Sequence, residues 1–149
     1  MIIAKLVQLR RDATAAMAVE FAILAPILIT LMIGVFHTGV YMQNYNAIRS
    51  LASDGARYTM VEYQKGAEPT HEQIRSVLLA TAVNAPYMLD TDRINIAVTE
   101  QTVSRVTGAD ELKISITYTL EDWLPFVTLP GTTLTYARPI FVVAPTIAP

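Results

Sequence analysis

Between Phe21 and Val40 the chain reads FAILAPILITLMIGVFHTGV, apolar on every face of a helix, and no Asp, Glu, Lys or Arg appears from Phe21 to Ile48. A helix of about 20 residues spans about 30 Å, the hydrocarbon thickness of a bilayer. An all-round apolar helix of that length is unusual in the core of a small soluble protein, so the pattern predicts a membrane segment. Past it the pattern turns one-sided. Ile48, Leu51, Gly55 and Tyr58 fall on an i, i+3, i+4 stripe with Ala47, Ala52 and Ala56 beside it, while Arg49, Ser50, Ser53, Asp54 and Arg57 fall elsewhere. This predicts one long helix from about Ala13 to about Met60, its second half amphipathic and covering a sheet.

After a polar loop at Lys65 to Gln73, Thr70 is placed to cap a short helix, with Gln73 three residues on. Ile74, Val77, Leu78 and Thr81 form that helix's predicted apolar face, and Pro86 its end. The period then changes from 3.6 to 2. Ile94, Ile96 and Val98 alternate within RINIAVTEQTV. In ELKISITYTL, Leu112, Ile114, Ile116, Tyr118 and Leu120 alternate with Lys113, Ser115, Thr117 and Thr119. The turn TGAD between the two runs makes them a hairpin. A last strand, TTLTYARPIFVV, follows the LPG turn at Leu129 to Gly131, and its Pro139 marks an edge or a strand end. Trp123 to Val127 reads as an apolar loop closing the end of the core, or else as a contact surface for another subunit. Helices first and strands later predict an α+β fold: a long N-terminal transmembrane helix continuing into an amphipathic helix packed on a small antiparallel β-sheet.

Composition divides along the same line. Of the 149 residues 52% are hydrophobic and 16% charged, and that average combines a membrane segment with an ordinary soluble domain. The net charge is -2 and basic residues cluster only near the N-terminus, so nucleic acid is not an expected partner. With no cysteine there are no disulfides, thiolate metal sites or cysteine nucleophiles. No GxSxG, HExxH or phosphate-cradling glycine loop occurs. The histidines are His37, late in the apolar segment, and His71, between Glu68 and Glu72. Those two carboxylates straddle a proline in a polar stretch, and a solvated helix start accounts for them better than a ligand set. Asp90 and Asp92 beside Arg93 read as a turn before a strand. The expectation is no catalytic residue, no metal and no cofactor: a protein that is not an enzyme.

Lys5, Arg10 and Arg11 precede the apolar segment, offset only by Asp12, and the next charge beyond it is Arg49. The asymmetry places the N-terminus in the cytoplasm and the C-terminal domain outside. The apolar core is too long for a cleaved secretory signal and no small-x-small site closes it, which favours a retained anchor. Pro26 inside the helix reads as a kink that a membrane helix tolerates. Glu20 is harder to account for. A charge at mid-bilayer costs about 2.5–3.5 kcal/mol on insertion scales, less near an edge. Glu20 is either a carboxylate snorkelling to the interface or one awaiting a positive partner in the membrane.

The stretch ATAAMAVEF resembles the processing site of type IV pilin-like proteins, particularly the Flp/Tad branch. YNAIRSLASDGARYTM is similar to a segment of TadE-like proteins, matching at Asp54, Gly55, Ala56, Arg57 and Tyr58, and WLPFVTLPGTTLTYARPIF resembles that family's ending. The resemblance is to a TadE-like pseudopilin, or minor pilin. It implies a prepilin leader at residues 1–15, a cut between Ala15 and Ala16, a transmembrane helix at 16–44 and an extracytoplasmic domain at 45–149. Ala15 stands where the family usually has Gly. Glu20 becomes the fifth mature residue, followed by the aromatic Phe21. In the family this glutamate is thought to meet the N-terminal ammonium of a neighbouring subunit, which would return part of its desolvation cost. The partners implied are a prepilin peptidase, other pilins and pseudopilins, the inner-membrane assembly machinery and membrane lipid. The rival expectation is an unprocessed single-span anchor carrying a periplasmic binding domain.

Overall fold

The computed structural model describes residues 13–121 and 132–143, with side chains from Ala16 onward. Most of the stretch expected as a leader, the Trp123–Val127 stretch and the LPG turn lie outside the described residues. Two helices and three strands follow in the order α1 (Ala13–Gln64), α2 (His71–Ala82), β1 (Ile94–Glu100), β2 (Asp110–Thr119) and β3 (Thr133–Val142). The fold is α+β, as the change of period predicts. The chain divides into two compact units between Val40 and Tyr41, and α1 contributes to both.

In the first unit α1 presents apolar side chains all round. Thr30 and Thr38 do not leave their hydroxyls unpaired: Thr30 Oγ1 donates to the Pro26 carbonyl at 2.8 Å and Thr38 Oγ1 to the Gly34 carbonyl at 2.9 Å. Such bonds back to the i−4 carbonyl satisfy a hydroxyl where no water is available. Pro26 lies within the helix without ending it.

In the second unit the buried stripe of α1 is Ile48, Leu51, Ala52, Gly55, Ala56 and Thr59. Tyr58, expected on it, is half-buried, and Thr59 takes the position because its hydroxyl is satisfied internally by the Gly55 carbonyl at 2.8 Å. The helix runs about a turn past the expected end at Met60. It stops where Gly66, at φ 79°, takes the left-handed conformation. Gly66 N–H then donates to the Tyr63 carbonyl and Ala67 N–H to that of Glu62, both at 3.0 Å, a Schellman cap.

Helix α2 begins as its sequence predicts. Thr70 Oγ1 accepts from Gln73 N–H, and the Gln73 side chain accepts from Thr70 N–H at 2.8 Å. Its buried face is Ile74, Leu78 and Ala82; Val77 is exposed and Thr81 half-buried, each one step off the stripe. It closes at Ala82, before Pro86, as the Asn84 side chain reaches back to the Ala80 carbonyl at 2.7 Å.

Helix α2 packs on α1 at Gly55. A Cβ there would lie 2.4 Å from Leu78 Cδ2 and 3.1 Å from Leu78 Cγ, and Leu78 is itself buried. One residue away, the Tyr87 hydroxyl donates to the Asp54 carboxylate, fixing the segment after α2 to the same helix. The Tyr87 ring is 9% exposed. Burial first, then the bond to Asp54, push its phenol up to about 12.

The strands form an antiparallel meander, β1-β2-β3. Ile96 stands opposite Ile116 and Ile116 opposite Tyr136. Ile94, Ile96, Leu112, Ile114, Ile116, Tyr118, Leu134 and Ile140 are buried on the inner face. Strand β3 meets α1 through polar and aromatic contacts: Arg138 Nη1 donates to Ser53 Oγ at 2.9 Å, and Tyr136 meets Tyr45 edge-on with centroids 6.2 Å apart. Pro139 lies inside β3 opposite Lys113, an edge strand where a missing donor can face outward.

Glu111 departs from simple alternation. It shares the outer face with Lys113, yet it is only 4% exposed. The loop after β1 folds over it. Arg105 donates to Glu111 Oε1 from Nη2 at 2.6 Å and from Nε at 2.9 Å, Nε also reaches Oε2 at 3.1 Å, and the Arg105 backbone N–H donates to Oε2 at 3.0 Å. The guanidinium lies 5.5 Å over the Phe141 ring. These bonds hold the Glu111 carboxyl below the usual carboxylate range.

Three tests follow from this packing. Ile116→Asp puts an unpaired charge in the core and should cost about 4 kcal/mol or more, whereas Thr117→Asp, on the outer face, should cost about 1 kcal/mol or less. Urea unfolding of the two variants checks the assignment of faces. Gly55→Val should destabilise by about 1–3 kcal/mol through overpacking, and adding Leu78→Ala should recover part of that loss, in contrast to additive costs. Tyr87 is protonated in the folded state above the pH at which the unfolded chain ionises it. Its contribution is therefore complete below pH 10.0 and lost as pH rises toward about 12. Tyr87→Phe should flatten stability against pH across that window, measured by denaturant titration.

Candidate functional site

The residues singled out in the sequence lie at the start of α1. Ala15 and Ala16 are in its first turn, and Glu20 and Phe21 follow in the second. Ala16 and Glu20 are four residues apart and so stand one turn apart on the same helical face. Glu20 is exposed, and none of the ion pairs among the described residues includes it. Phe21 is 71% exposed. The structure thus brings the four residues onto adjacent turns of one helix and gives the carboxylate no cation from its own chain among the described residues.

The surroundings of Glu20 are apolar. Leu24, Ile27, Leu28, Leu31 and Val35 each expose more than half of their surface. Covering such a side chain fully is worth about 1.5–3 kcal/mol, so a run of them in water is strongly unfavourable. By length and composition α1 can cross a membrane. In hydrocarbon a helix is the one open-ended element that satisfies its own backbone, which suits a helix that continues through this segment past the missing donor of Pro26. Further along, His37 Nε2 is buried with no hydrogen-bond partner among the described residues.

The other sequence candidates have structural places. Asp54 and Gly55 hold α2 and Tyr87 against α1, Ala56 is buried, Arg57 is exposed and Tyr58 is half-buried. The role of Asp54 was not legible, since its partner lies in a loop 33 residues away. His71 opens α2, and Glu72 pairs with Arg75 at 3.3 Å, as a first-turn carboxylate does with a cation three residues on. Among the described residues no three His, Cys, Asp or Glu side chains converge as metal ligands.

No curated protein and no solved structure matches the chain. One family model does: that of the TadE-like proteins, over residues 15–57. The match starts at the residue before Ala16, includes Glu20 and Phe21 and the whole apolar segment, and ends at Arg57, three residues after the Asp54 that binds Tyr87. It leaves the WLPF stretch near the C-terminus outside. Over residues 15–57, then, the chain is similar to the TadE-like proteins.

Proposed function

We propose that this chain is a minor pilin, or pseudopilin, that acts in the assembly or initiation of a Tad-type pilus by helix-mediated association. The observation that carries the proposal is the coincidence of the family match with an apolar helix segment whose side chains are exposed and whose carboxylate has no ion pair among the described residues. The chain sits in the bacterial inner membrane as a single span with its N-terminus in the cytoplasm, following the charge asymmetry around residues 21–40. A prepilin peptidase cuts between Ala15 and Ala16, removing the charged start and creating an ammonium on Ala16. The outer domain from about Tyr45 onward faces the periplasm. The role is structural, and chemistry is confined to the peptidase that processes the chain.

In this mechanism Glu20 serves after insertion. The new ammonium of one subunit, on Ala16, lies at the depth of the Glu20 carboxylate of another when the two helices are offset by about one turn. A buried pair regains Coulomb energy only with good geometry, and removing one member strands the other at a cost of about 3–5 kcal/mol. The pairing therefore selects helix register as well as strengthening association. The rival reading, an unprocessed anchor carrying a periplasmic binding domain, draws on Ala15 in place of the usual glycine before the cut. The first residue of the protein extracted from membranes separates the two: Ala16 for the pilin, Met1 for the anchor.

Glu20→Ala should insert at least as well as the wild type, because removing a carboxylate eases transfer into the bilayer. It should then fail to crosslink or co-purify with other pilins. Ala15→Leu should leave the leader uncut, whereas Ala15→Gly should be cut at least as well as the native chain. Intact association and piliation in Glu20→Ala, together with an uncut N-terminus in the wild type, would transfer the chain to the anchor class.

A further inference from the structure

The cations of the second unit are unevenly placed. Lys65, Arg75, Arg93 and Arg105 are each ion-paired with a carboxylate. Arg49, Arg57, Lys113 and Arg138 are in no ion pair among the described residues. Lys113 stands apart on the outer face of β2, whereas the three arginines gather around Ser53. Arg49, Ser53 and Arg57 follow one another at four-residue steps along α1 and so share one face. Ser53 Oγ donates to the Arg49 carbonyl and accepts from Arg138 Nη1, each at 2.9 Å, which brings the β3 guanidinium to that face. Arg49 and Arg57 are exposed and Arg138 is half-buried. The neighbouring carboxylate, Asp54, accepts from the Tyr87 hydroxyl. Like charges gathered on one face repel, so the grouping adds nothing to the stability of an isolated domain.

The unpaired carboxylates gather elsewhere. Glu100 ends β1 and Asp110 begins β2, so both lie at the loop end of the hairpin, lining one cleft with Gln101, Thr102, Ser104 and Glu111. Glu111 is neutralised by Arg105. Glu68, Glu100 and Asp110 are exposed and in no ion pair among the described residues. Burial first, then these three carboxylates, hold the Tyr63 phenol above its usual range, which places them around the end of α1. Tyr63 lies ten residues past Ser53. That is about 15 Å along the helix axis and about 80° around it. The basic and acidic patches therefore differ in both height and direction.

The geometry points to a head-to-tail contact between copies of this chain, in which the Arg49, Arg57 and Arg138 face of one copy receives the Glu100 and Asp110 end of the next. The occupant of the basic face is a second copy, because the charges that complement it are unpaired on the same chain and too far along α1 to reach it within one copy. The two surfaces differ, so a pair of copies still has one free face of each kind. Repeated from copy to copy, such a heterologous contact builds a ring or a helical row. It lies wholly in the second unit. The inference thus goes beyond the pilin reading and depends neither on Glu20 nor on a cut after Ala15.

The chain has no cysteine, so single thiols can be introduced. Ser50→Cys, beside Arg49, and Thr102→Cys, in the cleft with Glu100, put one exposed thiol on each face. The two full-length chains are mixed in a zwitterionic detergent and treated with a short bismaleimide, and peptide mass spectrometry identifies the linked positions. Links between positions 50 and 102 are expected, far above links of either position with itself. They should fall several-fold between about 0.1 M and about 1 M salt, as the screening length shortens from about 10 Å to about 3 Å. Arg49→Glu with Arg57→Glu in the first chain should cut the link about tenfold or more, because like charges then face each other, and Glu100→Lys with Asp110→Lys in the second should do the same. Combining the two reversed chains should restore it, which a misfolded variant could not do. Glu20→Ala in both chains should leave the link unchanged. Absence of the link, equal linking of position 50 to itself, or a link that ignores the charge reversals would overturn the contact. A link that requires phosphatidylglycerol would assign the arginines to anionic lipid and overturn it as well. Loss of the link in Glu20→Ala would make it a by-product of helix association and overturn the patches as its cause.

Discussion

The placement of α2 in the folded domain depends on one stripe of α1. Ile48, Leu51, Ala52, Gly55, Ala56 and Thr59 are all buried, and half of them are small. The small residues matter because they set distance. At Gly55 the Leu78 side chain occupies the space where any other residue would carry its Cβ. That close approach positions α2, and with α2 comes the Tyr87 segment that Asp54 secures. Strand β3 is fixed to the same helix by Ser53 and Tyr45. A helix with a bulkier stripe would keep its hydrophobic pattern and lose this placement.

The parts of the fold set by local periodicity were legible in the sequence. The α+β class, the hairpin and its faces, and the Thr70 cap all follow from patterns within about ten residues, where backbone geometry alone decides which side chains share a face. The end of α1 was missed because Gly66 stops the helix through a cap, which apolar spacing does not report. Val77 was misplaced because a 12-residue helix has room for two neighbouring stripes, and packing chose Ile74, Leu78 and Ala82. The burial of Glu111 depends on a loop returning over the sheet with Arg105, a contact between segments whose pairing no periodicity encodes. At the candidate site, spacing and resemblance single out Ala16, Glu20 and Phe21, whereas Asp54 stands out only as part of a motif, because its partner Tyr87 lies 33 residues away.

The helix meets two different demands along its length. From Phe21 to Val40 it is apolar in all directions, and Thr30 and Thr38 bond back to the carbonyls of their own helix. From Tyr41 the same ladder of hydrogen bonds continues, but polar residues reappear on one side. Glu20 interrupts the first regime, and its isolation from any cation among the described residues is what makes it informative. A carboxylate in that setting is neutralised, reaches water or finds a positive charge elsewhere. Each outcome changes how the helix packs, which is why one residue bears so much of the functional argument.

Pro139 has a consequence for how copies of this chain can join. A free sheet edge is a template onto which another strand can add, and uncontrolled addition of that kind leads to fibrils of stacked strands. In β3 the proline removes a donor midway along the edge and sets its ring where an incoming backbone would lie. Polymerisation by strand addition is thereby obstructed on that side. Contacts between copies of this chain are thereby left to other surfaces, where side chains set the register.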